Sequence, residues 1–335
     1  MASASSISDA PIGHAPAGRG IKAHSFGDGL QHNHFVRLNW LDGVVVIIIN
    51  LMWGLNLVAI KMATNLVGPV TAAFLRQAIV MIVCASALRI VPGRMRSLLL
   101  LGVLTGGLFY VIVGYSLELA DNLAALAIAS QLGAPLSILL GVLVLKEHIG
   151  RWRIFGIALA FLGVAVLVFE PGGSGDLDAI ALTAVGSCMW AVGSLIQRNL
   201  AGVPVLTIYA WMGLVGALVL LPITIWQEAD GLVRLADMPM RHMGWVAFSA
   251  IGSTLIGQGG MSWLLQRHPI STVAPLTLLS PIVAVASSSY YFQTSLSPHM
   301  IIGGIIALAG VAVVTIRSAW RHDNSGQHNN GQKRT

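Results

Sequence analysis

Of 335 residues, 56% are apolar and only 10% are charged, with a mean hydropathy of +0.79 and a formal net charge of +6. Such a balance excludes a soluble globular protein. The positive charge is spread over many short gaps between apolar blocks instead of forming one stripe, which argues against nucleic acid as a partner.

Residues 1–38 are rich in Ala, Ser, Gly, Pro and His and are expected to form an unstructured cytoplasmic tail, as are 319–335. Between them, at about 20 residues per crossing, the apolar blocks predict ten membrane-spanning helices. These fall near 40–61, 70–91, 97–119, 122–145, 152–169, 178–198, 204–227, 243–266, 271–293 and 300–317. The first apolar run, Val44 to Ile49, continues into a full-length span, so the first helix is expected to be retained and not removed as a signal. Six of the ten histidines (His14, His24, His32, His34, His322, His328) fall in the tails without ligand spacing, so no metal site is expected. Cys84 and Cys188 both lie inside apolar blocks and read as packing residues.

Cytoplasmic loops collect Lys and Arg, which tests the helix count independently. With the N-terminus inside, fifteen of the nineteen cations fall on the cytoplasmic side. Only Lys61, Arg234 and Arg241 fall outside, and Arg76 lies within the second span. Eight of the thirteen acids fall outside. An even number of spans follows, with both termini cytoplasmic.

The chain also resembles itself. At an offset of 137, Trp53 to Lys61 (WGLNLVAIK) meets Trp190 to Arg198 (WAVGSLIQR). At 146 to 147, Gly114 meets Gly260, Pro135 meets Pro281, Gly156 meets Gly303, and the string Gly163-Val-Ala-Val meets Gly310-Val-Ala-Val. Five helices per unit place the second unit upside down relative to the first. The expected fold is therefore an all-α integral membrane protein of ten transmembrane helices in two inverted five-helix repeats, 39–170 and 178–318, joined by an outer loop, 171–177. Inverted repeats let two pseudo-equivalent halves expose one central site alternately to either side.

With WGLNLVAIK, the FLRQ string (Phe74 to Gln77), PLSILLGVLVLKEHIG with its Pro135 and Glu147, LSPIVAV with Pro281, and glycine-bearing fifth and tenth helices, the sequence resembles the EamA-type branch of the drug/metabolite transporter superfamily. The resemblance covers nearly everything between the tails. It implies ten helices with cytoplasmic termini and movement of amino acids, other small metabolites or drugs, mostly outward. One departure is Thr294, which stands opposite Glu147 where the family commonly has a second glutamate.

Polar side chains inside a span must face protein, water or a ligand. Ser187, Trp190, Ser194 and Gln197 lie on one stripe of the sixth helix, and Asn50, Trp53 and Asn56 on the equivalent stripe of the first. Gln131, Gln258 and Ser280 add polar groups on the fourth, eighth and ninth. Helix-to-helix hydrogen bonding is the competing role for each, worth about 0.6 to 2 kcal/mol. The candidate substrate-binding set is Trp53, Asn56, Arg76, Gln131, Trp190, Ser194, Gln258 and Ser280. Arg76 can bind a substrate carboxylate, pair with Glu118 or Asp121, or snorkel to the surface. Trp211 and Trp263 also sit deep enough to wall a cavity or to pack the core.

No phosphate-binding GxxxxGK[ST] loop occurs, and no Asp or Glu lies mid-membrane, so neither ATP hydrolysis nor a central carboxylate relay is expected. Facilitated exchange, or coupling through Glu118, Asp121 or Glu147, remains. The loop Gly172-Gly173-Ser174-Gly175-Asp176 contains protease-like GxSG and GxGD strings, but no His or second mid-membrane Asp answers them, so an enzyme is not expected. The sequence reads as an exporter of amino-acid-like or amphipathic metabolites, drug-like compounds included, in a bacterial cytoplasmic membrane. An importer or exchanger is the alternative within transport, and a scaffold or receptor the alternative outside it. Its expected partners are a small-molecule substrate and the lipid bilayer, with no cofactor; monomer and dimer are both compatible with it.

Overall fold

The structure, a computed structural model, describes residues 39–145, 150–169, 177–236, 240–268 and 270–331. The expected tail over 1–38, Glu147, and the loop Gly172 to Asp176 lie outside the described residues. Among the described residues, seven helical segments are long and apolar enough to cross a membrane: Trp40–Val67, Pro69–Ala87, Met95–Leu119, Leu123–Leu143, Leu177–Arg198, Val205–Gln227 and Pro298–Ile316. The other three expected spans are also helical. They are α7 (Arg151–Val168), the run α11 (Met240–Ala247), a π-helical segment Phe248–Gly257 and α12 (Gln258–Leu265), and the pair α13 (Ile270–Leu276) and α14 (Leu279–Phe292).

Local chemistry sets the ends. In α1 (Trp40–Val67), Asn39 accepts from the Trp40 N–H at 2.7 Å and its own N–H donates to Asp42 at 2.8 Å, closing a capping box. Asp42 Oδ2 also lies 2.9 Å from His268 Nε2 just past α12, joining α1 to the end of another span. The helix runs past Lys61, its expected end, because nothing in 62–67 breaks it. It stops at Gly68, whose φ of +95° an L-side chain would strain, and Pro69 starts α2 (Pro69–Cys84). Gly68 offers no side chain to cap α2. Glu228 does so instead, accepting from the Val70 and Thr71 N–H groups at 3.1 and 2.8 Å and from the Thr71 hydroxyl at 2.8 Å. Glu228 stands between α9 (Val205–Gln227) and α10 (Ala229–Ala236), a short helix in what the hydropathy pattern reads as loop.

Several expected continuous helices are interrupted. The third comprises α3 (Met95–Leu101), a π-helical segment Gly102–Leu108, and α4 (Phe109–Leu119). The fourth comprises α5 (Leu123–Ala129), a 3-10 turn Ser130–Leu132, and α6 (Gly133–Leu145). Pro135 explains that turn, since it has no N–H to give the Gln131 carbonyl and its ring crowds that oxygen. Pro281 does the same to Thr277, where a turn separates α13 from α14. The breaks at Gln131 and Thr277 are 146 positions apart, and the two π-helical segments begin 146 apart, at Gly102 and Phe248. That offset is the one relating the later parts of the two sequence halves.

Glycines bring α7 against α15 (Pro298–Gly331) backbone to backbone. A Cβ on Gly163 would fall 2.6 Å from the Gly303 carbonyl oxygen, and one on Gly303 2.7 Å from that of Gly163; Gly156 and Gly310 oppose each other in the same way, at 2.9 and 2.6 Å. Small residues permit such approach where lipid supplies no hydrophobic drive. Gly156 pairs with Gly303 in the repeat yet touches Gly310, and Gly163 pairs with Gly310 yet touches Gly303, the reciprocal pattern of a local two-fold. Past Arg317, its expected end, α15 stays helical to Gly331. No Pro or Gly interrupts residues 311–325.

Candidate substrate cavity

A cavity of about 420 Å³ opens between the helices, and all eight candidate residues line it: Trp53, Asn56, Arg76, Gln131, Trp190, Ser194, Gln258 and Ser280. They come from α1, α2, the 3-10 turn after α5, α8 (Leu177–Arg198), α12 and α14. The rest of the α8 stripe, Ser187 and Gln197, lines it too.

The two repeat-related tryptophans meet the cavity differently. Trp53 donates its indole N–H to the Ser253 carbonyl at 3.2 Å, an oxygen in the π-helical segment, and its ring lies against Gly257. Trp190 is 39% exposed and packs its ring 5.5 Å from that of Phe109. Asn50, the third member of the α1 stripe, does not line the cavity. It is buried and donates to the Val46 carbonyl at 2.8 Å and to Leu276 at 3.0 Å, tying α1 to the break before α14. Gln131 donates to the Ala127 carbonyl at 3.3 Å and Ser194 to that of Trp190 at 2.9 Å, while the buried Asn56 Oδ1 has no partner.

Arg76 is the one formally charged side chain on the cavity wall among the described residues. At 6% exposure it does not snorkel, and it meets neither Glu118 nor Asp121. One terminal nitrogen donates to Thr254 Oγ1 at 2.6 Å, and the guanidinium lies 4.1 Å from the Tyr110 ring centroid. Its Nε and Nη1 are buried without an acceptor.

Trp211 and Trp263 do not line this cavity. Trp211 donates to the Arg89 carbonyl at 2.8 Å, and Trp263 stacks 3.8 Å beneath Arg267. Lys61 donates to the Leu117 and Ala120 carbonyls at the end of α4, so this cation closes a helix terminus. The aromatic lining from Phe109, Tyr110 and Tyr209 is not marked by any polar stripe in the sequence.

Residues 42–169 and again 178–316 match the EamA-like transporter family. A "Probable amino-acid metabolite efflux pump" of Salmonella typhimurium is 26% identical over 285 residues, 81% of this chain and 94% of that protein. One of the same description from Escherichia coli is 25% identical over 293 residues, covering 84% and 96%. Protein PecM of Dickeya dadantii is 24% identical over 221 residues, covering 65% and 72%. A solved crystal structure aligns with a TM-score of 0.57 at 19% identity over 84% of this chain and 99% of its own, a likeness of fold alone.

Proposed function

Since this chain belongs to the EamA-like transporter family, and so is a multi-pass membrane transporter, we propose that it exports small amino-acid-like or amphipathic metabolites across a bacterial cytoplasmic membrane by alternating access. The reading includes ten spans in two inverted five-helix repeats with both termini cytoplasmic. The cavity carries it: one chamber of about 420 Å³ draws a tryptophan from each half, at equivalent positions, and is flanked by two proline-broken helices at equivalent positions. Such broken helices expose backbone carbonyls beside a central site. The efflux-pump description of two relatives supports the outward direction and the substrate class.

Flux of labelled amino acids, nucleosides and cationic drugs through proteoliposomes of fixed orientation tests the reading. Amino-acid-like compounds should cross faster than in protein-free liposomes, and no acceleration across the panel would refute transport. Faster flux from the face bearing the termini is expected of an exporter, and the reverse of an importer.

A further inference from the structure

We propose that Arg76 makes the cavity an organic-anion site, whose occupant offers a carboxylate to the guanidinium and an apolar body to the tryptophan walls. The inference rests on the cavity being the transport site and narrows the charge of what it carries. A buried cation is ordinarily met by a carboxylate, because desolvation without a counter-charge is costly. Here the Arg76 neighbours are a neutral hydroxyl, Thr254, and an aromatic face, Tyr110. These hold the guanidinium in place while Nε and Nη1 keep donors without acceptors. The missing countercharge is the feature a carboxylate ligand supplies, through charge-assisted hydrogen bonds.

The remaining lining sharpens the preference. No acidic side chain lines the cavity among the described residues, so an ammonium group would meet only neutral acceptors there, such as Asn56 Oδ1 and the Gln131 and Gln258 amides, and no counter-charge. Net anions should therefore bind ahead of zwitterions, zwitterions ahead of neutral analogues, and cations last. The charge is also one-sided: at the offset of 137 the position equivalent to Arg76 is Gly213. One carboxylate per cavity is the expected stoichiometry.

The test uses the full chain in lipid nanodiscs and four probes sharing a phenyl ring: phenylacetate, phenylalanine, phenylacetamide and phenethylamine. Binding is read by calorimetry and flux in proteoliposomes. Phenylacetate should bind about ten- to a hundredfold more tightly than phenylacetamide, the span expected of hydrogen bonds to a charged group, with phenethylamine weakest. Arg76→Gln should collapse that advantage to less than about threefold by weakening phenylacetate far more than phenylacetamide, and Arg76→Lys should retain part of it. If Arg76→Gln does not fold, the order on the unaltered protein decides. Equal binding of acid and amide, no binding by any probe, or an anion preference that survives Arg76→Gln each overturns the proposal. Anion-selective binding without flux would uphold it and refute transport, whereas flux without anion preference would refute it and leave transport standing.

Discussion

Replacing Gly163 with Ala puts a methyl group where α15 already lies. The added Cβ would stand 2.6 Å from the Gly303 carbonyl oxygen and 2.7 Å from the Ala307 Cα, against the 3.4 Å or more of ordinary contact. Both neighbours are backbone, so relief requires α7 and α15 to part by about 1 Å, and gaps of 0.5–1 Å forfeit a quarter to a half of each van der Waals contact. Overpacking of this kind costs about 1–3 kcal/mol, and the upper part of that range applies because no side chain can rotate away. Ala is a better helix former than Gly by about 1 kcal/mol, leaving a net loss of about 1–2 kcal/mol. Gly310→Ala should cost a similar amount, since its Cβ would meet the Gly156 carbonyl oxygen at 2.6 Å. Gly43→Ala in α1, where nothing lies within 4 Å, supplies the control and should be neutral or stabilising. Thermal unfolding in detergent, followed by tryptophan fluorescence, measures all three. If Gly163→Ala melts at or above the unaltered protein, the close contact of these helices is wrong.

Trp190→Ala should reduce transport at least about tenfold with a smaller loss of stability than Trp211→Ala. The latter removes a ring that packs and donates to the Arg89 carbonyl outside the cavity and should leave flux largely intact. Parallel flux and unfolding measurements check both, and reversed losses would refute the assignment. Glu228→Gln should lower stability by about 1–2 kcal/mol, because a neutral amide cannot accept three hydrogen bonds at the start of α2 through two oxygens as the carboxylate does. The same unfolding assay reads it, and an unchanged midpoint would remove the cap from the account.

The sequence by itself determined that this is an all-helical membrane protein, and it marked the residues around the cavity. Long apolar blocks cannot remain in water, and a polar group on a span must turn from lipid, so Trp53, Trp190 and Ser194 were legible by their spacing and Gln131 by its polarity within a span. The repeat, too, was visible, because duplicated helices retain their Pro and Gly where the backbone needs them. Hydropathy could not see the breaks at Gln131 and Thr277 or the π-helical segments, since these depend on individual hydrogen bonds and leave average apolarity unchanged. The sequence set Asn50 and Asn56 on one face of α1 and kept only Asn56 as a candidate, but gave no partner for Asn50: the placement of α13 supplies one in the Leu276 carbonyl and leaves Asn56 at the cavity. The state of Arg76 was decided by tertiary structure alone, because a buried cation is described by what surrounds it, and Thr254 and Tyr110 reach it from helices distant in the chain.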